Sequence, residues 1–152
     1  MQAAKKIIRS FLDEYGSESA YLAGEGQLLS KKQIRKYVQD YLYQLGLQNM
    51  VVVNFIYGQV APTSVTYDAK TGICKLNIKL PCTYRAAKIM GVLDHEIGTH
   101  YLRKFNESQQ KWYKKKDFYN MGTCIATEEG LASIHGNIQT VLDNKSKPFL
   151  FS

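Results

Sequence analysis

The feature that most constrains this chain is the run G91-V-L-D-H-E-I-G-T-H-Y-L-R103. In it His95 and His100 stand five residues apart, with Glu96 directly after the first. Histidines that share one ion from a helix ordinarily sit four apart, because four residues at 3.6 per turn leave only about 40° between the rings. Five residues leave about 140°, and on a straight helix the rings diverge. The spacing works only where the helix widens or breaks, and a single wide turn absorbs one extra residue in this way. Gly98 lies inside the gap, where backbone freedom makes the distortion cheapest. The plainer alternative is a regular helix carrying an exposed His and Glu.

The residue types suit zinc, which is bound by imidazole and carboxylate; a catalytic zinc takes three protein ligands and leaves a position for water. His95 and His100 are the candidate pair. Glu96 falls beside the open position, where its expected role is to take a proton from water and later pass one to a leaving amine. The third ligand is sought in E128-E-G-L-A-S-I-H135, among Glu128, Glu129 and His135. Glu129 and His135 are six apart, about 240°, so a regular helix cannot aim both at one ion. Glu129 is preferred because Gly130-Leu131-Ala132 would let its helix pack closely on the motif helix, and Glu128 stands second. Acids in a first turn, favoured by the helix dipole, would explain the glutamate pair without any metal. His135 is read as a surface histidine or one that supports a ligand.

A chain of 152 residues with 45% apolar content suffices for one domain with one core. The apolar run behind Lys5-Lys6 is cut at Arg9 and Ser10, and no later stretch approaches membrane-spanning length, so no membrane partner is expected. Cys74, Cys82 and Cys124 are widely spaced, which suggests reduced thiols that pack rather than ligate. Lysine plus arginine outnumber aspartate plus glutamate by 20 to 13, giving +7 and favouring an anionic partner. A nucleic-acid role rests on charge alone and is not expected.

Along the chain, apolar spacing predicts an amphipathic helix over residues 3–15 and a second over 31–45, with Ser30 as N-cap and Gly46 as its stop. Residues 51–57 read as a strand. Residues 64–67 and 73–80 read as a hairpin around the turn 68–72. A helix is then expected from Thr83 through the opening motif, a long loop over about 106–120, and a last helix over 128–142. Lys111, Lys114, Lys115 and Lys116 surround Trp112 and Tyr113 in that loop. Such a cluster is either a solvated turn or a rim that attracts acidic substrate, so these four lysines are candidate substrate contacts. The apolar run 149–151 follows Pro148.

The motif H95-E-I-G-T-H100-Y-L-R103, Gln110 and Trp112 after it, and T127-E-E-G-L-A132 together resemble the microtubule-associated tyrosine carboxypeptidases, a family related to bacterial proteins bearing a QEGLA motif. The resemblance runs from about Tyr67 to Val141. It implies an α+β, gluzincin-like metalloprotease domain with a small antiparallel sheet and a metal-binding helix pair. It further implies a zinc carboxypeptidase that removes the C-terminal tyrosine of α-tubulin, with His95, His100 and Glu129 as ligands and Glu96 as the catalytic glutamate. The implied partners are the acidic α-tubulin tail and microtubules, and the implied location is the cytoplasmic microtubule cytoskeleton, axonemal arrays included. An edge strand within residues 73–79 is expected to hold the tail by strand addition. Because the family's domain continues beyond the E-G-L-A helix, residues 1–152 are expected to be one catalytic-type domain, a fragment or shortened form of it. The competing expectation is a catalytically silent, microtubule-binding protein that keeps the fold.

Overall fold

The computed structural model describes residues 2–143, so the run 149–151 lies outside the described residues. The molecule is α+β, with helices packed around a three-stranded sheet.

Helix α1 spans Gln2–Tyr15 and α2 spans Glu18–Gly24. Neither contains a buried residue; they are joined by a cluster of rings, Phe11, Tyr15 and Tyr21. Sequence reading misses α2 because seven residues are too few to display a period and Gly24 and Gly26 suggest a loop. Helix α3, Lys31–Gln44, begins as expected at Ser30. The Ser30 hydroxyl accepts from the Gln33 backbone, and the Gln33 side chain accepts from the Ser30 backbone in return. Ile34, Val38, Tyr41 and Leu42 form its buried stripe, and Gly46 ends it at φ +69°.

Strands β1 (Val51–Tyr57), β2 (Thr63–Tyr67) and β3 (Cys74–Leu80) form a sheet in the order β1-β3-β2. The hairpin β2–β3 is antiparallel, with Tyr67 opposite Cys74. The sheet as a whole corrects the antiparallel expectation, because β1 runs parallel to β3, with Val51 opposite Cys74. The chain leaves β1, crosses one strand position through residues 58–62, and the hairpin then threads β3 into the gap. Two strand spacings are about 10 Å, well within the reach of five extended residues. Strand β3 is therefore central and has no free edge, which removes residues 73–79 as a site of strand addition. Its alternate residues Cys74, Leu76 and Ile78 point into the core.

The motif helix starts at Ile89, not at Thr83. Residues 84–87 pair instead with the link between α2 and α3: Leu29 N–H donates to the Tyr84 carbonyl at 2.8 Å and Ala86 N–H to the Gln27 carbonyl at 3.1 Å. Non-local pairing of this kind leaves no mark on local spacing. From Ile89 the helix runs as α4 (Ile89–Leu93), a wide-wound segment (Asp94–Tyr101) and α5 (Leu102–Ser108). Turns and a single 3-10 turn, Tyr113–Lys115, lead to α6, Ile125–Asp143. The core is one cluster in which Ile89, Leu93, Ile97 and Tyr101 of the motif helix meet α3 and the inner face of the sheet. Among the described residues no helix is long and apolar enough to cross a membrane.

Candidate metal centre

The local widening expected from the five-residue spacing is present, and it is longer than one turn: the whole of Asp94–Tyr101 is wound as a π-helix. Its i→i+5 bonding brings residues five apart onto one face. His95 Nε2 and His100 Nε2 accordingly lie 3.2 Å apart, with the two rings inclined at 71°. Gly98 is not among the glycines with positive φ, so its role is space. A Cβ there would stand 2.9 Å from the Tyr41 hydroxyl and 3.0 Å from His135 Cε1.

Helix α6 crosses this segment almost backbone to backbone. A Cβ on Gly91 would lie 2.1 Å from the Gly136 carbonyl oxygen, and one on Gly136 would lie 2.9 Å from that of Gly91. This pair, not Gly130, permits the close packing that was expected, since a Cβ on Gly130 would meet nothing within 4 Å. Ala132 is fully buried at the same contact. The sequence signal was a glycine inside each helical pattern, where glycine costs about 1 kcal/mol relative to alanine and so needs a packing reason.

The crossing brings Glu129 to the histidines. His95, His100 and Glu129 each offer one ligand atom, and these atoms all lie within 4.8 Å of one another. Glu129 Oε2 is 3.6 Å from His100 Nε2, and its side chain is 58% exposed, so the cluster opens to solvent on that side. Neighbouring Glu128 faces the other way. Its Oε1 lies 2.7 Å from His100 Nδ1 in a buried contact, and its Oε2 accepts from Arg103 Nη1. With Nδ1–H of His100 given to Glu128, Nε2 is left with its lone pair toward His95 and Glu129. His95 is in turn hydrogen-bonded to the Ala132 backbone, so α6 orients both rings. Arg103 completes a chain to Glu107 and the Cys124 sulfur, a support that the spacing of the motif does not reveal.

Burial pushes the His95 imidazole below its ordinary pKa, and the adjacent His100 adds to the fall. Two imidazole nitrogens this close cannot both point a proton at each other, and a pair of lone pairs turned to one point is what a metal ion takes. Glu96 is buried, and burial pushes its carboxyl above the ordinary range; His100 draws it down and Glu129 adds to the rise. The donor set also passes a geometric test. Two nitrogens at zinc distances of 2.0 to 2.1 Å and a tetrahedral angle are separated by about 3.3 Å, and the observed pair is at 3.2 Å.

The other candidates fall outside this cluster. His135 Nδ1 lies 3.0 Å from Thr99 Oγ1 on the far side of the wide segment. Lys111, Lys114 and Lys115 are exposed, whereas the Lys116 amine sits 2.6 Å from Glu107 and over the Trp112 ring. Cys74 is buried, with burial raising its thiol pKa to about 12, and among the described residues no cysteine joins the group of His95, His100 and Glu129.

No family model matches the chain. Among curated proteins, the rat microtubule-associated tyrosine carboxypeptidase 1 is 34% identical over 154 residues, covering 99% of this chain and 31% of the relative. The human protein of that name is 33% identical over 95% of the chain and 30% of its own length. The mouse putative tyrosine carboxypeptidase MATCAP2 is 37% identical over 95% of the chain and 27% of its own length. The chain thus spans less than a third of the length of these relatives, and over nearly its whole length it is similar to microtubule-associated tyrosine carboxypeptidases.

Proposed function

We propose that this chain supplies the metal-binding part of a gluzincin-like zinc carboxypeptidase that removes the C-terminal tyrosine of α-tubulin. The observation that carries the reading is the cluster of His95, His100 and Glu129, closed by a wide-wound helix whose only evident use is to aim residues five apart at one point. The names of the relatives supply the reaction and the microtubule association.

In this reading His95, His100 and Glu129 would hold zinc. The chemistry a zinc ion would supply there is Lewis acidity toward water and the scissile carbonyl. The chain's own residues do the rest. Glu128 orients His100 through Nδ1, and Arg103 donates to the second oxygen of Glu128 and so holds that carboxylate in place. Glu96 takes the proton from the attacking water and returns one to the departing tyrosine amine. A carboxyl raised by burial is better matched to that exchange near neutral pH than an exposed one. The exposed side of Glu129 gives the extended tail a way in.

An acidic tail meets a chain of net charge +7, and the exposed Lys111, Lys114 and Lys115 would raise its encounter rate. Residues 1–152 act in this account as one catalytic-type unit at the cytoplasmic microtubule surface, axonemal arrays included.

The test is release of C-terminal tyrosine from assembled microtubules by the chain and by Glu96→Gln, each with zinc supplied and withdrawn. Release that requires both zinc and Glu96 is the expected result. Microtubule binding without release under any condition would favour the silent, fold-retaining alternative instead.

A further inference from the structure

A wide-wound helix is a costly conformation and persists where its surroundings impose it. Side chains outside the metal cluster converge on this one. Thr99 Oγ1 donates to the Asp94 carbonyl at 3.2 Å, five residues back. A threonine in a regular helix reaches back three or four residues, so this bond belongs to the wide winding alone. With its only proton placed there, Thr99 Oγ1 accepts from His135 Nδ1–H of α6 at 3.0 Å. At the start of the segment, Asp94 Oδ1 accepts from the Tyr41 hydroxyl of α3 at 2.8 Å. Gly98 is enclosed between that hydroxyl and the His135 ring.

We infer that His135 and Tyr41 are positioning residues that clamp the wide segment, His135 through Thr99 and Tyr41 through Asp94, and so keep His95 and His100 facing one ion. The inference rests on the metal-site reading above and adds to it a fixed frame. Two helices distant in sequence grip the segment on either side of Gly98, Tyr41 at Asp94 and His135 at Thr99. Without either grip, the segment gains by rewinding to regular α-helix, which would carry His100 through about 100° away from His95. Thr99 is 2% exposed, so water cannot replace its two bonds.

The experiment measures zinc affinity of the full chain by competition with a chromophoric chelator, beside the visible spectrum of the cobalt-loaded protein. The variants are His135→Ala, His135→Asn, Thr99→Val, Thr99→Ser and Tyr41→Phe. Unfolding of the metal-free proteins is followed in parallel. Losing a group that orients a ligand typically weakens metal binding 10- to 100-fold. Losses of about that size are expected for His135→Ala and Thr99→Val, with an altered cobalt spectrum, and a smaller loss for Tyr41→Phe. Asparagine at 135 and serine at 99 restore the donor and the hydroxyl, so most of the affinity should return with them. Should Thr99→Val fail to fold, the alanine and asparagine variants of half-buried His135 carry the same comparison. Wild-type zinc affinity and cobalt spectrum in His135→Ala would overturn the clamp alone. A wild-type chain that binds no zinc would overturn the metal-site reading and the clamp with it.

Discussion

The wide segment Asp94–Tyr101 and helix α6 contribute to one cluster, yet they are held in different ways. The wide segment is enclosed: Ile97 and Tyr101 are fully buried, and Thr99 and His100 nearly so. Helix α6 touches the rest of the protein along one face, where Glu128 and Ala132 are buried, while Leu131 and Ile134 on its other side are 54% and 61% exposed. An unfavourable winding needs support on every side, whereas a regular helix keeps its shape unaided and needs only to be placed. The difference assigns the work: the wide segment sets the angle between the two histidines, and α6 delivers Glu129 and the groups that orient both rings.

The severest way to break this arrangement is at the helix crossing. Gly91→Ala places a methyl group 2.1 Å from the Gly136 carbonyl, and the backbones must part. A loss of about 3 kcal/mol or more in chemical denaturation is expected, at or beyond the upper end for overpacking, together with loss of zinc binding. Gly130→Ala meets open space in the same helix and should be neutral or slightly stabilising, by up to about 1 kcal/mol. Equal effects of the two would refute the close crossing.

Next in size is the contrast between inner and outer apolar residues. Ile97→Ala empties a fully buried position in the wide segment and should cost about 2–4 kcal/mol. Ile134→Ala on the outer side of α6 should change stability by no more than about 0.5 kcal/mol.

A finer contrast is carried by adjacent glutamates. Glu128→Gln leaves the ligand atoms in place but removes the charge between His100 and Arg103, and zinc affinity should fall roughly 10-fold or more in a chelator competition. Glu129→Gln removes the ligand charge itself and should weaken zinc further. If Glu128→Gln were the more damaging, the two roles would have to be exchanged.

The signals that were legible in the sequence are local ones. Ser30 marked the start of α3, residues 68–72 marked the hairpin, and the spacing of His95 and His100 across Gly98 called for a widened helix if both were to face one ion. What escaped depends on pairing between distant segments. The parallel match of β1 with β3 is set by where the hairpin inserts, and the late start of α4 by residues 84–87 pairing with the α2–α3 link. At the site, Glu129 is preferred for the small run 130–132 beside it, whereas the close approach is made by Gly91 and Gly136; Glu128 on His100 Nδ1 could not be seen, since its direction follows from that crossing. The sequence leaves His135 between a surface histidine and one that supports a ligand for the same reason: its partner Thr99 is 36 residues away.

The central claim is that His95, His100 and Glu129 form one zinc site. The most direct measurement is zinc stoichiometry and affinity of the purified chain beside its His100→Ala and Glu129→Ala variants, by equilibrium dialysis with metal analysis. The account expects one zinc per wild-type chain, lost in His100→Ala and strongly weakened in Glu129→Ala. Zinc held equally well by all three proteins, or by none, would contradict it.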